Sequence, residues 1–145
     1  MRQALALAEE AAAEGEVPVG AVLVRDEQVV GIGRNRREIG RNALAHAEIE
    51  AIDMACRNLG GWRLFGSTLY VTLEPCPMCA GAIINARIDR VVYGAADPKA
   101  GSCGSVVNLF DLPYNHKPRL ESGLLGEECA ALLTCFFREL RSRRR

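Results

Sequence analysis

The stretch "STLYVTLEPCPMCAGAIINA", residues 67–86, decides the fold. Its first seven residues, STLYVTL (67–73), are β-branched, aromatic and apolar, the composition of a strand. Glu74, Pro75 and Cys76 follow without a spacer. The segment from Pro77 to Ala86 then reads as a short helix, because proline is tolerated in a first helical turn, where its missing N–H has no partner to lose. On the amino-terminal side, residues 2–14 are rich in Ala, Leu and Glu and predict a helix stopped by Gly15. VGAVLV (19–24) and QVVGIG (28–33) predict two strands joined by a polar turn at Arg25, Asp26 and Glu27, a hairpin. After the polar loop RNRREIGRNA (34–43), the spacing of Ile49, Ile52, Met54 and Cys56 predicts a helix from about Ala45 to Asn58, ended by Gly60 and Gly61. On the carboxyl side, RVVYG (90–94) is a strand and AADPKAGSCGS (95–105) a Gly-rich loop. Residues 106–125 hold a turn near LPYNHKP and a short strand around Leu120, and GEECAALLTCFFRELR (126–141) is an amphipathic helix. This order predicts an α/β sandwich with helices on both faces of a mixed sheet. Sites in such folds lie at the carboxyl ends of strands, where residues 74–79 fall.

At 145 residues the chain has the size of one domain, spanning 1–145. Hydrophobic content of 49% with 25% charged residues is globular, and no apolar run approaches the roughly 18 residues of a membrane span. The opening "MRQALALAEEAAAEGE" has glutamates where a secretory signal needs an uninterrupted apolar stretch, so a cytoplasmic location is expected and no membrane partner. Six cysteines in such a chain point to metal or free thiols rather than bridges. Charge balances at 18 against 18, which excludes a global attraction to nucleic acid. It is uneven, however: Arg138, Arg141, Arg143, Arg144 and Arg145 crowd the last eight residues. Guanidiniums suit phosphate, but on its own the tail reads as a solvated helix end.

Cys-x-x-Cys after a strand and opening a helix fits a thiol redox couple, half of a structural zinc cage, or part of a catalytic metal site. A redox couple needs only its two sulfurs, whereas this chain carries a second cluster, His46-Ala47-Glu48, also at the start of a helix. Cys76 and Cys79, three apart, share one helix face and can point at one ion. His46 and Glu48 differ by about 200° around a helix axis, so they converge only at its amino-terminal end. Both helices therefore aim their N-termini, with their partial positive charge, at a common point. Two thiolates and an imidazole suit zinc. A structural cage would need a fourth ligand. Cys56, Cys103, His116, Cys129 and Cys135 qualify by type, but none sits in a second paired motif. Three ligands leave a place for water, with Glu48 beside it as proton carrier.

His-Ala-Glu, a gap, then Pro-Cys-x-x-Cys matches the zinc nucleobase deaminase signature. Together with "EVPVGAVLV", "AHAEIEAI", "WRL", "LYVTLEPCPMCAGAI", "RVVYGAADPKAGSCGS", "NHKP" and "GLLGEECAALLTCFFRELR", nearly the whole chain resembles the bacterial tRNA-specific adenosine deaminases of the zinc-dependent cytidine/deoxycytidylate deaminase superfamily. The resemblance implies a cytidine-deaminase-like, three-layer α/β/α sandwich with a five-stranded mixed sheet. It implies hydrolytic conversion of the wobble adenosine of a tRNA anticodon loop to inosine, by zinc-activated water with Glu48 as proton shuttle. It assigns one Zn2+ per subunit to His46, Cys76 and Cys79. Asn35 and the backbone of Ala47 would face the base. Asp97 would face the RNA sugar, where a carboxylate accepting from a 2′-OH selects RNA over DNA; no DNA partner is expected. Without the resemblance, Asn35 and Asp97 read as turn residues. The resemblance further implies a homodimer whose partner subunit helps form the RNA surface, and makes the basic tail a phosphate contact. A related enzyme acting on free cytosine, guanine or nucleosides is the alternative.

Overall fold

β-Branched runs and helix-stopping glycines place the elements close to these expectations. The structure is a computed structural model describing residues 1–145. Its elements are α1 (Arg2–Ala13), β1 (Gly20–Arg25), β2 (Gln28–Arg34), α2 (Ala47–Leu59), β3 (Ser67–Leu73), α3 (Pro77–Asn85), β4 (Arg90–Ala95), β5 (Arg119–Ser122) and α4 (Gly126–Arg143), with one 3-10 turn at Leu109–Asp111. The five strands form one sheet in the order β2-β1-β3-β4-β5. β1 runs antiparallel to both β2 and β3, whereas β3, β4 and β5 are parallel, so the sheet is mixed.

Alternation along the strands separates two faces. Ala21, Leu23, Leu69, Val71, Val91 and Tyr93 join the main core with Ala47, Ala51 and Ala55 of α2 and Ala80, Ile83 and Ile84 of α3. On the other face α1 and α4 cover the sheet, with Leu5 and Cys129 packed together beside Ala95. Four strand glycines mark where helices come closest. A methyl on Gly20 would run into the Ala4 carbonyl of α1, one on Gly31 into the Ala51 carbonyl of α2, one on Gly33 into the Ala47 carbonyl, and one on Gly94 into Cys129 of α4. The helices thus sit on the sheet backbone to backbone, which glycine alone permits.

The spacing of Ile49, Ile52, Met54 and Cys56 predicts the helix, and the close seat sets which of its faces turns inward. Met54, counted with its apolar stripe, is 40% exposed, and the buried line is instead Ala47, Ala51 and Ala55, one per turn. A helix pressed onto Gly31 and Gly33 has room only for small side chains, so its larger apolar residues are displaced to its flanks. Gly33→Ala should therefore cost about 2 kcal/mol by overpacking and lower the melting temperature by about 4–8 °C, read by calorimetry. Its methyl would press on the residue between His46 and Glu48. The segment 106–125 resolves into a Cys103–Asn108 bridge, the 3-10 turn and β5, which pairs Leu120 with Val91.

Candidate metal centre and active site

α2 and α3 lie on the same face of the sheet and begin at the same end. His46 is the N-cap residue of α2 and Cys76 that of α3, each with extended backbone. Pro77 supplies the first helical position of α3, and the Ala80 N–H donates to the Cys76 carbonyl at 2.8 Å. The caps place three donor atoms together: His46 Nδ1 lies 3.6 Å from Cys76 Sγ and 3.5 Å from Cys79 Sγ, and all three atoms fall within 4.8 Å of one another. Zinc–sulfur and zinc–nitrogen bonds of about 2.3 and 2.0 Å at a tetrahedral angle require an N···S edge of about 3.5 Å. The donor set and its spacing fit that ion.

No fourth His or Cys joins the cluster. All six cysteines are free. Cys103 and Cys129 are buried in the two cores, Cys135 is exposed on α4, and the ring Nε2 of His116 hydrogen-bonds the Ile88 carbonyl at 2.7 Å. Charge within the cluster is unevenly shared. The hydrogen bond from Cys79, ahead of that from His46, brings Cys76 down to about 4. Cys79 is driven far up by its ionised neighbour and by burial, and His46 is raised by its hydrogen bond to Cys76. Two sulfurs this close keep one proton between them until a divalent cation supplies the charge to ionise both.

Glu48, in the first turn of α2, is only 4% exposed and contributes no donor to the cluster. Burial, ahead of the negative charge on Cys76, pushes it up to about 7. It lines a cavity of about 460 Å³ together with His46, Ala47, Cys76, Asn35 and Asp97. Every residue the sequence nominates therefore meets at this cavity except Cys79, which is buried behind it. Asn35 and Asp97 also keep their turn roles. Asn35 Nδ2 donates to the Val17 carbonyl and its Oδ1 accepts from the Arg37 N–H, both at 3.2 Å. Asp97 Oδ1 accepts from the N–H groups of Lys99 (3.0 Å) and Ala100 (3.3 Å).

Three further contributors escaped the sequence reading. Leu133 and Phe137 of α4 reach the cavity across the sheet's other layer, and Glu74 stands in its wall. Glu74 is 2% exposed and accepts from the N–H groups of Asp97, Cys103 and Ser105 and from the Ser105 hydroxyl. Burial opposes its charge, but the Ser105 hydroxyl and these N–H groups outweigh burial and hold its carboxyl below the ordinary range. The one signal available was a carboxylate wedged between a strand and a proline; its partners lie over twenty residues away.

The model of the MafB19-like deaminases matches residues 1–141. The tRNA-specific adenosine deaminase of Bacillus subtilis (strain 168) is 49% identical over the whole of this chain and 91% of its own length. The chain belongs to the tRNA-specific adenosine deaminase family. Its relative in Haemophilus influenzae is 48% identical over the whole chain and 85% of its own length. A solved structure from a study of A-to-I editing by tRNA:A34 deaminases at the wobble position of transfer RNA superposes with a TM-score of 0.89 and 50% identity, covering 92% of this chain and 97% of that one. Guanine deaminase from Bacillus subtilis superposes less well, with a TM-score of 0.64 and 33% identity over 97% of this chain and 90% of that one. The family's cytidine-deaminase-like sandwich is the fold seen here, and no helix is long and apolar enough to cross a membrane.

Proposed function

We propose that this family member deaminates adenosine to inosine at the wobble position of a tRNA anticodon loop. The observation that carries the reading is the buried Glu48 beside the His46, Cys76 and Cys79 donors, in a chain matching tRNA-specific adenosine deaminases from end to end. His46 Nδ1 and the two sulfurs would hold one zinc per subunit. When bound, zinc acidifies a water so that a nucleophile is available at neutral pH. Glu48 would accept a proton from the attacking water and deliver it to N1 of the purine as the water oxygen adds to C6. It then carries the second proton to the 6-amino group, which leaves as ammonia. Ala47, at the first position of α2, presents backbone to the base, and the amide of Asn35 keeps a hydrogen and a lone pair for the purine edge. The second carboxylate oxygen of Asp97 accepts from a ribose 2′-OH, favouring RNA over DNA.

A loop adenine can be splayed into the cavity at lower cost than a paired one. The enzyme works as a cytoplasmic homodimer whose partner subunit completes the RNA surface. Incubation with tRNA transcripts followed by nucleoside mass spectrometry tests the reading: inosine should appear at the wobble position. Free adenosine, cytosine and guanine run alongside address the alternative, a free-base deaminase, which the likeness to guanine deaminase favours; turnover of guanine without inosine in tRNA would establish it instead.

The helix α4 continues to Arg143, nearly two turns beyond Phe137, and Arg141, one turn on, shares the face of that residue. Truncation after Leu140 removes Arg141, Arg143, Arg144 and Arg145. It should weaken RNA binding and reduce the slope of log affinity against log salt by up to about 3. An unchanged slope in a filter-binding titration would return the tail to solvent.

A further inference from the structure

Deaminase chemistry uses Glu48, His46 and the thiols, but leaves the second buried carboxylate of the cavity, Glu74, without a task. It occupies the turn between β3 and α3, two residues before Cys76, and no Lys or Arg pairs with it. All its hydrogen-bond donors belong to one loop. The Asp97 N–H donates to Oε1 at 3.1 Å, and the N–H groups of Cys103 and Ser105 donate to Oε2 at 3.0 Å each, with the Ser105 hydroxyl on Oε1. The same loop is tied to the residue following Glu74, because the Ser102 N–H donates to the Pro75 carbonyl at 2.8 Å. Gly101 closes directly over the carboxylate, and a methyl there would overlap it. Residues 96–100 of this loop form one wall of the cavity.

We propose that Glu74 is a positioning residue for substrate: it sets the 96–100 wall, and Asp97 within it, in register with the turn that carries Cys76. The inference rests on the deaminase reading above, in which Asp97 faces the ribose. Both oxygens of the side chain serve as acceptors for donors of that loop. Glutamine would turn an NH2 group toward N–H donors and lose at least one bond to a charged acceptor, enough for about a tenfold effect. The effect falls on binding, because Glu48 and His46 are carried by α2 and the thiols by α3, neither of which belongs to the wall.

The test compares wild type with Glu74→Gln and Ser105→Ala. Glu74→Gln is expected to raise KM for an anticodon stem-loop RNA about tenfold with kcat within about twofold, the signature of lost uniform binding, while one zinc per chain is retained. Ser105→Ala, which removes a single donor, should raise KM about threefold. Hydrogen exchange at the Asp97, Cys103 and Ser105 amides should quicken about tenfold in Glu74→Gln, with the amides of α2 and α3 unchanged. Unchanged KM in both variants, or zinc and kcat falling together, would overturn the assignment. The exchange readout needs no substrate. If wild type makes no inosine, the deaminase reading falls alone, and the loop amides still decide: quickened exchange upholds the role of Glu74 as anchor of the wall, and unchanged exchange removes it.

Discussion

An alanine at position 48 is expected to lower inosine formation by about a thousandfold, while one zinc per chain stays bound. Glu48 is separate from the three-donor cluster, so its removal leaves His46, Cys76 and Cys79 in place. Its carboxyl is the one proton-carrying group that the cavity presents from the first turn of α2 beside those donors. Both proton transfers are assigned to it. The fold should not suffer, since Glu48 forms no ion pair with a Lys or Arg, and burying a carboxylate costs free energy that alanine restores. The melting temperature should hold or rise. Mass spectrometry of tRNA nucleosides, elemental analysis and a thermal melt together check the claim. Near wild-type turnover would remove Glu48 from the chemistry, and loss of zinc would make it a ligand.

The second large effect concerns the metal itself. Cys79→Ser should weaken zinc binding by at least about a hundredfold and abolish measurable turnover. Cys79 is fully buried, at the third position of α3, and faces His46 Nδ1 at 3.5 Å. No other Cys or His stands close enough to replace it, and a serine hydroxyl is a poor zinc donor at neutral pH. Chelation of the wild type should reproduce the loss, and added zinc should reverse it. A thiol redox couple would behave differently: Cys79→Ser would end dithiol exchange, and zinc would make no difference. Full deamination by metal-free protein would sink the assignment.

The three-donor cluster was legible because its information is local. Pro77 fixes the start of α3, Cys76 and Cys79 follow from that start, and His46 with Glu48 can converge only at a helix end, which is where α2 begins. Strands β1 to β4 were legible from β-branched runs and turn residues, and the resemblance supplied Asn35, Ala47 and Asp97. The inward face of α2 was not legible, because it depends on glycines of β2, and β2 meets α2 only after the hairpin has folded. The segment 106–125 was only partly legible for the same reason. β5 is four residues long, and its exposed pattern says little until β4 offers a parallel edge. Glu74 lay in plain view, yet its purpose depends on a loop more than twenty residues away.

The four strand glycines bear on how the enzyme can be redirected. Randomised libraries that seek new nucleobase preference should leave codons 20, 31, 33 and 94 untouched, because diversity there would be spent on misfolded clones. Codons 133 and 137 border the opening on α4 and are not among the residues that meet those glycines, so variants sampled there can alter selectivity with the scaffold intact.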